Sequence, residues 1–136
     1  MKKFIIITIC NLIFTIVYGQ DCQIPILLDK EIIEATTNEK FVEEDFYRVN
    51  NLLFEYQVKD SSKTLKNCHS YFSNIEKLFN SQTPEKRALA YRLIGVAKDS
   101  NFNNELISRI NSDESSLLKT WSTTALMENN YGKASD

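Results

Sequence analysis

From Thr83 to Met127, apolar residues recur at helical spacing in two successive sets. In the first, Ala90, Tyr91, Leu93, Ile94 and Ala97 lay one broad stripe along a helix. Thr83 supplies a capping oxygen, Pro84 sits where a missing N–H costs nothing, and Glu85 suits the positive end of the dipole. Asp99-Ser100 ends that helix, and Phe102, Leu106, Ile107 and Ile110 make the face of the next. After the turn Asn111-Ser112-Asp113-Glu114, Leu117, Leu118, Trp121, Ala125 and Leu126 define another. Upstream, Leu65, Cys68, Tyr71, Phe72, Ile75, Leu78 and Phe79 predict one continuous helix. Val42, Phe46, Val49, Leu53 and Tyr56 form a seam on a longer helix, widened by Leu52 and Phe54. Ile26, Leu27, Leu28, Ile32 and Ile33 make a short helix apolar enough to require burial, and Thr36 with Glu39 has capping-box spacing for the restart.

The first residues follow a different logic. Met1-Lys2-Lys3 is a basic head, and Phe4 to Val17 is an apolar run of 14 residues. A bilayer span needs about 20, so the run is read as the core of a secretory signal peptide over 1–19. Val17 and Gly19 are small enough for the peptidase, and no lipid-anchor pattern precedes Cys10 or Cys22. The expected organisation is a signal peptide over 1–19, one all-α domain over 20–128, and a polar, poorly ordered tail over 129–136.

The two helical sets also resemble each other. Arg87, Ala90, Leu93, Ile94 and Gly95 align with Lys119, Ser122, Ala125, Leu126 and Met127 at an offset of 32. Tyr71, Ile75 and Phe79 align with Phe102, Leu106 and Ile110 at an offset of 31. Two helices per unit at this period mark an α-solenoid. The motif Arg87, Ala90, Tyr91, Leu93, Ile94, Gly95 resembles HEAT-like repeats, over roughly residues 65–128. The second copy departs from it, with Met127 in place of the glycine and Thr123 at a usual alanine position. The resemblance implies a short right-handed α-α superhelix behind two N-terminal helices, and a surface that binds another protein. It also implies that the last unit, without a second helix after Met127, needs a cap or a covering partner.

Composition narrows the fold and the partners. Three Gly and two Pro are too few for a sandwich or barrel of this length. Without Lys2 and Lys3, 14 basic against 18 acidic side chains leave a net charge of −4. No basic block or stripe is present, so nucleic acid and an anionic membrane surface are poor partners. The exported chain keeps Cys22 and Cys68, an even count that predicts a disulfide closing a loop of about 47 residues. Such a bond contributes roughly 4 kcal/mol on the chain-entropy model. Cys68-His69 does not make a metal site, because a closed site needs about four ligands and His69 is the only histidine. The acidic run Glu43-Glu44-Asp45 reads as a solvated face rather than an acid–base pair.

No hydrolase, Walker, zincin or dinucleotide motif occurs, so no catalytic residue and no cofactor are expected. Function is therefore sought in binding. The expected reading is an exported, periplasmic or secreted module that scaffolds protein–protein contacts, with no stable membrane anchor. Its partner face is placed at Asn74, Lys77, Asn103, Asn104 and Arg109, from helical position. The alternative is a small periplasmic immunity protein that blocks a secreted toxin, which rests on size, leader, acidity and the single disulfide. No pattern in the chain sets its oligomeric state.

Overall fold

The computed structural model describes residues 22–59, 65–112 and 115–130. The segment 1–19, expected to be a signal peptide, and residues 131–136 of the expected 129–136 tail lie outside them. The fold is all-α, and no strand occurs among the described residues. In chain order the helices are α1 (Ile26–Thr37), α2 (Glu43–Lys59), α3 (His69–Phe72), α4 (Ile75–Phe79), α5 (Pro84–Ala97), α6 (Asn103–Asn111) and α7 (Ser116–Glu128). Short 3-10 turns at Leu65–Asn67 and Ser100–Phe102 precede α3 and α6.

Three helical pairs stack. α1 packs on α2, α4 on α5, and α6 on α7. Between pairs, α5 packs on both α2 and α7, so these three form one layer with α5 in the middle. The central position explains why α5 is buried on every face from Ala88 to Ala97, where its neighbours leave no arc for water. Phe79 of α4 stands edge-on to Tyr91 of α5, with ring centroids 5.4 Å apart.

Gly95 lets α5 and α7 approach. An ideal Cβ there would overlap the Glu128 carboxylate and lie 3.0 Å from the Ala125 Cα. The carboxylate is pinned by Arg92 and the Cα is backbone, so neither yields easily. Gly95→Ala is expected to destabilise the fold by about 1–2 kcal/mol. Overpacking costs ~1–3 kcal/mol and better helix propensity returns up to about 1. Urea unfolding measures the net.

Several local expectations are corrected. The segment 65–79 is not one helix. Cys68 is extended (φ −80°, ψ 136°) where it joins Cys22, with Cα atoms 4.8 Å apart. Further on, the Asn74 side-chain amide donates to Ser70 O at 2.8 Å, while its backbone N–H turns to Tyr71 O. The side chain thus takes the carbonyl that the next helical turn needs, and α3 stops. Thr83 precedes α5, but its hydroxyl caps nothing; its N–H donates to Ser81 Oγ instead. The spacing of Thr36 and Glu39 forms no capping box either. α1 runs on through Thr37, and Asp45 accepts the Val42 N–H ahead of α2 at 3.1 Å.

Burial of α1 and α2 is also narrower than their apolar patterns imply. On α1, Leu28, Ile32 and Ala35 are buried, whereas Ile26, Leu27 and Ile33 face solvent. On α2, Phe46, Val49, Leu53 and Tyr56 are buried, but Phe54 is not, nor is Val42 just ahead of the helix. α1 packs on α2, α3 and α4, and α2 on α1 and α5, and the remaining arcs of both helices stay in water.

Candidate functional site: an apolar surface on the first helical pair

Two features stand out once the core is set aside. One is internal. Arg92 of α5 is 6 % exposed and spends its donors on three neighbours. Its Nε–H donates to Asn50 Oδ1 at 2.9 Å and Nη2 to Gln57 Oε1 at 2.7 Å, both on α2. Nη1 donates to the Glu128 oxygens at 2.8 and 3.0 Å, at the end of α7. Gln57 Nε2 also donates to Glu128 Oε1 at 3.1 Å, and the guanidinium lies 5.9 Å from the centre of the Trp121 ring. Every charge here has a partner, so the cluster joins three helices and offers no reactive group. A second buried link joins Tyr71 O–H to Asp99 Oδ2 at 3.0 Å. Burial, then the Asp99 charge, pushes the Tyr71 phenol well above its ordinary range.

The other feature is the surface. Among the described residues, nine large apolar side chains are exposed, and seven belong to residues 26–58. Ile26 is 89 % exposed, Val58 70 % and Phe54 61 %; Leu27, Ile33, Val42 and Tyr47 complete the set. By contrast, the outward positions of α7 are Ser116, Thr120 and Thr123, with Met127 as the one large apolar residue. The apolar flank of this stack is therefore at its first pair, not its last.

A groove of about 640 Å³ opens on the same pair. Ile24 and Pro25 form one wall, Leu27 and Leu28 the next, and Leu52 and Tyr56 the third. Glu55 and Lys59 stand at its rim, 4.0 Å apart. A smaller hollow of about 270 Å³ lies nearer the α1–α2 turn and is polar, with Arg48 bonded to Glu31 at 2.9 Å and to Asp45 at 3.0 Å.

The residues proposed from helical position sit elsewhere. Asn74 precedes α4 and Lys77 lies on it; Asn103, Asn104 and Arg109 are on α6. Lys77 and Asn104 are exposed. Asn74 is bonded to Ser70 O, and Asn103 accepts from Asn129 Nδ2 at 2.8 Å. Arg109 lies 5.2 Å above the Phe79 ring and reaches Asn80. Arg109 thus links α6 to the end of α4.

Pattern reading placed Ile26, Leu27, Ile33, Val42 and Phe54 on buried faces and passed over Tyr47 and Val58, because it treated the apolar positions of a helix as one face. A signal was present. Phe46, Val49, Leu53 and Tyr56 fill one arc of α2, whereas Tyr47, Phe54 and Val58 fill another about 140° away. Two such arcs do not both face one neighbour.

Among the described residues no group of three or more His, Cys, Asp or Glu side chains is placed to hold a metal, and no helix is long and apolar enough to cross a membrane. Family models, curated proteins and solved structures yield no match to this chain.

Proposed function

We propose that this chain is an exported helical-repeat module that binds another protein through its α1–α2 pair and has no catalytic role. The observation that carries the reading is the concentration of exposed apolar side chains on that pair, which also carries an apolar groove. Monomeric surfaces rarely keep such residues together unless they meet a partner. Stacked helical pairs and the offset of 31–32 residues support the repeat reading. The disulfide is compatible with export, since such bonds persist in oxidising compartments.

The test compares surfaces. Phe54→Glu combined with Val58→Glu places two charges on the exposed arc and leaves the buried arc untouched. Capture of the native partner from periplasmic extract is expected to fall at least tenfold, with the circular dichroism spectrum unchanged. Lys77→Glu with Asn104→Lys, on α4 and α6, is expected to leave capture intact. The reverse pattern overturns the assignment of the surface.

A further inference from the structure

We propose that α2 also pairs with α2 of a second copy of this chain, antiparallel, through Tyr47, Asn51, Phe54 and Val58. The proposal rests on the preceding reading of the α1–α2 surface as a contact face. These four residues are spaced 4, 3 and 4 and lie within one exposed arc of α2. That spacing is a two-helix seam, with Asn51 as its polar position.

The charges along α2 select the direction. Its first turn is acidic, with Glu43, Glu44 and Asp45, and its last turn carries Lys59. Arg48 and Glu55 lie seven residues apart on one edge of the seam. An isologous antiparallel pair brings that edge against itself, so Arg48 of each copy meets Glu55 of the other. It also sets Lys59 of each copy near the acidic first turn of the other. A parallel pair stacks the acidic turns on each other instead. It would also put Arg48 and Glu55 against Asn50 and Gln57, whose side chains are already committed to Arg92.

Arg48 keeps room for a third carboxylate beyond the two of its own chain. Its side chain is 54 % exposed beside Glu31 and Asp45, and a guanidinium carries five donors. Three apolar side chains per copy fall short of the ~800 Å² per partner of a standard interface. The pairing therefore belongs to the weak class, populated as concentration rises.

Sedimentation equilibrium on the purified chain tests this. Dimer is expected to grow with concentration toward ~1 mM, the weak end of the affinity scale. Phe54→Glu is expected to abolish it, and Asn51→Leu to tighten it at least fivefold. Arg48→Glu and Glu55→Arg alone each set like charges opposite one another and are expected to weaken it; the double swap is expected to restore it. Circular dichroism verifies that each variant is folded. A chain monomeric throughout, or a double swap no better than the singles, overturns the proposal. If the chain is monomeric while Phe54→Glu with Val58→Glu still loses the captured partner, self-pairing fails and the binding-module reading stands. If those charges dissolve the dimer but leave capture unchanged, the reverse holds.

Discussion

Replacing Arg92 with alanine is expected to destabilise the fold by about 3 kcal/mol, the low end of the ~3–5 kcal/mol range for breaking a buried ion pair from one side. Arg92 sits at the centre of the network that bonds α2, α5 and α7 together. Its loss strands the Gln57 and Asn50 carbonyls and leaves the Glu128 carboxylate with Gln57 Nε2 as its remaining donor in the network. Leaving a buried acceptor unpaired costs more than the bond itself contributed. Glu128 is 22 % exposed, so water reaches it in part, which places the estimate at the low end. The aliphatic stem and the stacking on Trp121 also go. Two further variants separate charge from packing. Glu128→Gln keeps hydrogen bonding and is expected to cost less. Arg92→Met with Glu128→Met removes both charges, and buried pairs replaced by apolar residues of similar volume are often neutral. Urea unfolding at unchanged slope reads all three. A loss under about 1 kcal/mol for Arg92→Ala would mean that the network adds nothing to the stack.

The second large effect is expected at the disulfide. Cys22 opens the described chain and Cys68 stands just ahead of α3, 46 residues on. Cutting this link frees a loop of about 47 residues in the unfolded chain, worth roughly 4 kcal/mol on the entropy model. That is a large share of the ~5–15 kcal/mol that holds a domain. The folded state suffers as well. The bond anchors Ile24 and Pro25, which wall the groove, and nothing else joins Cys22 to α3 covalently. Guanidinium unfolding of the native chain is expected to shift by about this amount when reductant is added. Cys22→Ser is expected to start at the reduced value and to ignore the reductant. Equal stability of the two forms would assign the bond no stabilising part.

The same bond shows what a linear reading reaches. Two cysteines outside the expected signal peptide leave one intramolecular pairing, so Cys22–Cys68 was legible by counting. What the pairing does to the chain was not. Residues 65–79 carry a full helical stripe, yet Cys68 is extended and Asn74 folds its amide back onto Ser70 O. Periodicity describes a side chain's direction if the backbone is helical; it carries no term for a covalent anchor or a competing amide.

The candidate surface divides in the same manner. Phe54 and Val58 read as apolar, and only the packing of α2 at the edge of the stack leaves them in water. Arg92 looks like one more charged residue in a helix, because its partners stand 35 to 42 residues away in sequence on α2 and 36 away on α7.

Local spacing by itself determined that this chain is helical, where five of its helices run, and which cysteines join, because those properties depend on neighbours three or four residues off or on a count. Which helix is central, which apolar arcs stay uncovered and which polar side chains find each other were decided by the tertiary structure. Those outcomes depend on how many sides of a helix are occupied, and no segment of sequence carries that number.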